Sequence, residues 1–147
     1  MTAPEPVSKT FTSFSKEIYE AFKANDREGP VLMMNLIRLR PNADYVDGRD
    51  ATGREAYGRY SELSASVFAR LGGRIVWRGD LELTVVGPSD ERWDIAFIAE
   101  YPSPNTFVQM MRDPQYREAM KHRQAGVADS RLLRFAALPA GTTFSGQ

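Results

Sequence analysis

The chain reads as an α+β domain in which a four-stranded antiparallel sheet carries its helices on one side, and three observations lead there. Two runs, Gly29 to Arg40 and Trp93 to Tyr101, are apolar on both alternating faces, as strands inside a sheet are. A third, Arg74 to Val86, alternates: Ile75, Trp77, Leu81, Leu83 and Val85 face one way, and Val76, Arg78, Asp80, Glu82 and Thr84 the other, the pattern of an edge strand. Between these runs lie segments with apolar residues at three- and four-residue spacing, the period of helices with one buried face.

Taken in order, residues 1–10 hold two prolines and no apolar period and are expected to form a flexible arm. Phe11 to Asn25 predicts a short docking helix with Phe14, Ile18, Ala21 and Phe22 on its packed face. In the first central strand Val31, Met33, Asn35 and Ile37 point one way and Leu32, Met34 and Leu36 the other. Pro41 to Ala51 is polar and long for a strand-to-helix link of about 2 to 6 residues, so it is either a lid or a surface insertion. Thr52-Gly53-Arg54-Glu55 spells a capping box, opening a helix whose buried face is Ala56, Tyr60, Leu63, Val67, Phe68 and Leu71; Gly72-Gly73 supplies its left-handed stop. Gly87 to Arg92 carries turn residues and predicts a hairpin between the second and third strands. Ser103-Pro104 and Asp113-Pro114 are each an N-cap followed by proline, so the next helical region breaks in two. Arg131 to Leu138 predicts the last strand, within one domain spanning 11–138, and 139–147 a flexible small-residue tail.

After the leading helix, the order strand, helix, strand, strand, helix, strand is that of the ferredoxin-like βαββαβ fold. Right-handed crossovers put the first and third strands in the middle, matching the two runs that are apolar on both faces. Helices on one side leave the other side bare, particularly if Met33 or Phe97 points there. A second copy packed sheet to sheet is then expected, because soluble monomers seldom leave patches beyond several hundred Å² wet; the leading helix lying across that face is the monomeric alternative.

Composition narrows the function. A chain of 147 residues with 42% hydrophobic content suffices for one core. Lys plus Arg equal Asp plus Glu at 19 each, so no basic field exists to hold nucleic acid. No leader pattern opens the sequence and no apolar run approaches the ~20 residues of a membrane helix, which predicts a cytoplasmic protein without membrane contact. With no cysteine and one histidine, His122, thiolate chemistry and multi-histidine metal sites within a chain are excluded, and neither a metal nor a cofactor is expected.

Gly29-Pro30-Val31-Leu32-Met33-Met34-Asn35-Leu36, Ala43-Asp44-Tyr45, Gly53-Arg54-Glu55-Ala56-Tyr57-Gly58-Arg59-Tyr60, Leu71-Gly72-Gly73-Arg74, Tyr101-Pro102-Ser103 and Asp113-Pro114-Gln115-Tyr116 resemble a bacterial family described as domain of unknown function 1330. The likeness spans about Gly29 to Leu138. It implies membership of the dimeric α+β barrel superfamily, where two ferredoxin-like sheets face each other and small ligands sit between sheet and helices. Relatives there include cofactor-free quinol-oxidising monooxygenases, isomerases of lactones and aromatic compounds, haem-binding enzymes and plain binding modules, so the resemblance leaves the reaction open.

The residues themselves offer a short set of ligand-binding candidates and none that is recognisably catalytic. Asn35 is an amide on a dry strand, looking into the space between two copies; unpartnered it would cost about 1 to 3 kcal/mol, so it bonds either a ligand oxygen or backbone. Tyr45 on the long loop and Tyr60 on the helix, with Tyr57, offer an apolar ring with a hydrogen-bonding tip. Arg38, like Arg40, leaves the central strand where it can grip a carboxylate or pair with Asp44 or Asp47. Glu100 and Arg123 are a candidate buried acid and counter-ion. His122 lies roughly a hundred degrees off the inward face of its helix at 3.6 residues per turn, which argues against a ligand role. Two readings follow: a cofactor-independent enzyme, monooxygenase- or isomerase-like, acting on a small organic acid or aromatic compound, and a non-catalytic dimeric module that binds a small metabolite.

Overall fold

The computed structural model describes residues 9–146; most of the arm expected at 1–10 lies outside the described residues. The elements are α1 (Lys16–Ala24), β1 (Val31–Leu39), α2 (Gly53–Arg70), β2 (Arg74–Gly79), β3 (Ile95–Tyr101), α3 (Pro104–Arg112), α4 (Pro114–Gly126) and β4 (Val127–Phe135). The sheet is antiparallel in the order β2-β3-β1-β4, with β1 and β3 central as the crossover rule requires. The fold is therefore ferredoxin-like, with α1 added in front. Among the described residues no helix is long and apolar enough to cross a membrane.

The local signals act where the sequence puts them. Thr52 and Glu55 close a capping box at 3.0 Å in both directions, and Gly72 ends the α2 turn at φ +82°. Asp113 ends α3 and opens α4, its carboxylate accepting from the backbone N–H groups of Gln115 and Tyr116. The core lies between sheet and helices: Val31, Met33, Ala99 and Tyr101 pack under Phe107 and Met110 of α3, with Val67 of α2 and Tyr116 of α4.

Six expectations are corrected. Helix α1 starts at Lys16, not Phe11, because the Ser15 hydroxyl accepts the Ile18 N–H, while Phe11 runs beside β4 and bonds Asp129 and Ser130. Strand β2 stops at Gly79; Leu81, Leu83 and Val85 find no neighbouring strand and stay exposed in a long connection rather than a tight hairpin. A bulge between Ile75 and Trp77 rotates the Trp77 side chain to the opposite face from Ile75, and its ring lies where a Gly79 Cβ would go. Strand β4 begins at Val127, immediately after α4, because Gly126 packs against α2 so closely that a Cβ would come within 2.7 Å of the Gly53 carbonyl oxygen. Met33 and Phe97 point toward the helices; the bare face instead carries Leu32, Met34, Leu36, Ile98, Leu133 and Phe135, with Trp77 beside them. Helix α1 lies on the helix side, Phe22 against Phe107 at 4.7 Å, and does not cross that bare face.

Candidate ligand-binding cleft

Helix α2 packs along α4 and stands off from β2 and β3. Beneath it a cleft of about 870 Å³ opens, walled by α2 on one side and the helix-facing surface of β2 and β3 on the other. The reason lies in the sequence of α2: between Tyr60 and Phe68 the residues that line the cleft are Ser61, Ser64 and Ala65, too small to fill the space.

Four tyrosines line the cleft. Tyr60 on α2 and Tyr116 on α4 share a hydrogen bond between their hydroxyls at 2.9 Å, their rings edge to face. Tyr57, next to Tyr60 on α2, and Tyr101, at the end of β3, complete the set. Burial pushes all four phenols above their ordinary value, against a smaller downward pull of the Arg123 charge on Tyr57, Tyr60 and Tyr116. Each is a neutral donor at physiological pH. Arg54, Arg78, Asp80 and Asp94 stand around the mouth, the last accepting the Leu39 N–H at 2.7 Å.

Of the residues singled out in the sequence, Tyr60 lines this cleft and Arg123 acts on it by charge while donating to the Thr12 carbonyl at 2.7 Å. Asn35 lies on the helix side with Val31 and Ile37, and so does not look between two sheet faces; its amide donates to the Met33 carbonyl at 3.1 Å, and its strand neighbour Phe97, not Asn35, reaches the cleft wall. Glu100 is on the bare face, paired with Arg74 at 2.9 Å, so the imagined Glu100 and Arg123 pair does not form: the sheet stands between them. Arg38 donates to the carbonyls of Asp90 and Arg92 and lies over the Trp93 ring, while Asp47 is taken by Arg49. Tyr45 bonds His122 Nδ1 at 2.6 Å, and the long loop is stitched to the end of α4 through Asp44 N–H and the Ala125 carbonyl. No residue of 41–52 lines the cleft, so the loop is no lid over it. Tyr101, Tyr116 and Gly58 stand in the sequence only within the family-like runs and not among the ligand-binding candidates; the signal for them is a run of small residues at helical spacing on one face of α2.

Fold and cleft together define a ferredoxin-like α+β protein with a tyrosine-lined cavity between helix and sheet. The chain belongs to the family described as Domain of unknown function (DUF1330), which matches residues 46–134. It is similar to the RPA0582 protein of unknown function from Rhodopseudomonas palustris, 56% identical over 88% of this chain and 98% of that one, with a TM-score of 0.86. The methylated RPA0582 protein, also 56% identical, aligns over 90% and 98% at a TM-score of 0.89. SnoaB, a cofactor-independent oxygenase from Streptomyces nogalater, is 17% identical over 79% of this chain and 97% of that one, at a TM-score of 0.46. No curated protein matches the chain.

Proposed function

We propose that the protein binds a small organic molecule in the cleft under α2, its phenols donating to a ligand oxygen, and that it works as a homodimer joined through the bare sheet faces. The observation that carries the binding reading is the Tyr60 and Tyr116 hydroxyl pair in a cleft of about 870 Å³, a volume typical of small-molecule sites. Two protonated hydroxyls held 2.9 Å apart can turn together toward an entering oxygen, which suits a carbonyl or an enolate. The same donors favour a second reading, in which the cleft polarises a ligand carbonyl in a cofactor-independent reaction; phenols held above their ordinary value do not serve as bases at neutral pH.

The test is a thermal-shift and calorimetric screen of small acids, quinols and lactones, with turnover assays on each binder. Tyr60→Phe and Tyr116→Phe are each expected to weaken a true ligand by about tenfold. A ligand that binds the doubly substituted protein as well as the wild type would remove the cleft from consideration. Turnover of any binder decides for the enzyme, and binding without turnover for the module.

The dimer rests on the face formed by Leu32, Met34, Leu36, Leu133 and Phe135, the last two 44% and 50% exposed in the single chain and left uncovered by α1. A two-fold related copy matches that face to itself. Light scattering at micromolar concentration should give twice the chain mass, and Met34→Asp with Leu133→Asp should halve it; a wild-type monomer refutes the assembly.

A further inference from the structure

The lining of the cleft bears on the kind of molecule it takes, a step that rests on the binding reading above. Three features converge. Gly58 sits inside α2 facing the cavity, where a Cβ would meet nothing within 4 Å; glycine is a poor helix residue, and here it leaves a flat wall rather than relieving a clash. Tyr57 and Tyr101 are 8% and 6% exposed and line the cavity, and their hydroxyls, which bond no group among the described residues, are open to it. Donors on a cavity wall that bond no protein group are free to take a ligand oxygen. At the mouth, Arg54 from α2 and Arg78 from β2 are exposed and without an ion-pair partner among the described residues, one on each wall; of the two carboxylates there, Asp94 already holds the Leu39 N–H, leaving Asp80.

We infer that the cleft takes a planar aromatic carboxylic acid with a carbonyl oxygen at the end away from its carboxylate. The ring lies flat against Gly58, between α2 and Phe97 of β3. The carboxylate stays at the mouth with Arg54 and Arg78, whose forked donors match it, and the carbonyl enters to accept from the Tyr60 and Tyr116 pair, with the Tyr57 and Tyr101 hydroxyls beside it.

A matched set of probes tests each part on the full chain by titration calorimetry: 4-acetylbenzoate, the amide 4-acetylbenzamide, 4-ethylbenzoate without the carbonyl, and trans-4-acetylcyclohexanecarboxylate without the flat ring. The first should bind tightest and each of the others about tenfold or more weaker. Gly58→Ala should raise the melting temperature by about 2–4 °C, since alanine favours the helix, while weakening 4-acetylbenzoate by about tenfold or more. Arg54→Gln with Arg78→Gln should erase the preference for acid over amide. Equal affinity for acid and amide, or a Gly58→Ala protein that binds as well as the wild type, overturns the inference. If none of the four probes binds but a lactone or quinol does, and Tyr60→Phe weakens it, the cleft keeps its binding role and the aromatic acid is excluded. If nothing binds in a manner that depends on Tyr60 or Tyr116, both readings fall.

Discussion

On the helix side of the sheet two regions receive opposite treatment. At the Val31 and Tyr101 ends of β1 and β3, helix α3 presents Phe107 and Met110, and the surface is sealed to 6% exposure or less at Val31, Met33, Ala99 and Tyr101. Under α2, the stripe of Gly58, Ser61 and Ala65 cannot reach the strands, and Ile75 of β2 remains 45% exposed beside the cleft. Large side chains make one region a core; their omission makes the other a receptacle. Both regions lean on the same tyrosines, since Tyr101 and Tyr116 belong to the core cluster and to the cleft wall at once.

Substitutions can sharpen that contrast. Phe107→Ala strikes the sealed region, where the ring touches Phe22 and Tyr101, and should cost about 3–5 kcal/mol in urea unfolding, by lost transfer energy and the cavity left behind. Gly53→Ala should cost about 1–3 kcal/mol or more, because a Cβ there overlaps the Arg40 carbonyl; it is the counterpart of Gly58→Ala on the same helix, where space is open and the sign reverses. Tyr60→Phe should cost only about 1 kcal/mol, since the orphaned Tyr116 hydroxyl still meets the cleft, and a double-mutant cycle with Tyr116→Phe should show coupling. The smallest effect concerns His122. Burial first, then the Arg49 and Arg59 charges, hold its imidazole below the ordinary value of 6.5, so the folded state binds fewer protons than the unfolded chain below that pH. The stability it contributes is complete above pH 6.5 and is lost as pH falls through the lowered value, and a melting-temperature series from pH 7.5 to 5.5 should show a loss of about 1 °C that His122→Gln removes.

Element order, the two central strands and the helix caps were legible because each depends on neighbours close in sequence: the box at Thr52 and Glu55, the stop at Gly72, the break at Asp113-Pro114. The reach of β2 was not, because Leu81 to Val85 alternates like a strand and only the partner across the sheet decides where pairing ends. Side-chain partners were the least legible. Glu100 and Arg123 fall on opposite sides of the sheet, which the strand pleat at Glu100 could have indicated; Tyr45 with His122, and Tyr60 with Tyr116, meet across loops whose path no spacing rule encodes. The cleft itself arises from what α2 lacks, and hydrophobic periodicity registers only what is present.

Asp113 closes α3 with its backbone N–H, which donates to the Met110 carbonyl at 3.1 Å, while its carboxylate starts α4 and receives Arg70 of α2 at 2.6 Å, so three helices meet at one residue and two of them are tied by its side chain. Hydrogen bonds from the Tyr116 and Gln115 backbone and from Arg70 keep it ionised below its ordinary value of 3.8, and the fastening holds above that pH and loosens as acid reaches the lowered value. Acidification should therefore loosen the start of α4 and its tie to α2 through Arg70, while the backbone bond that closes α3 and the pairing of the strands stay as they are.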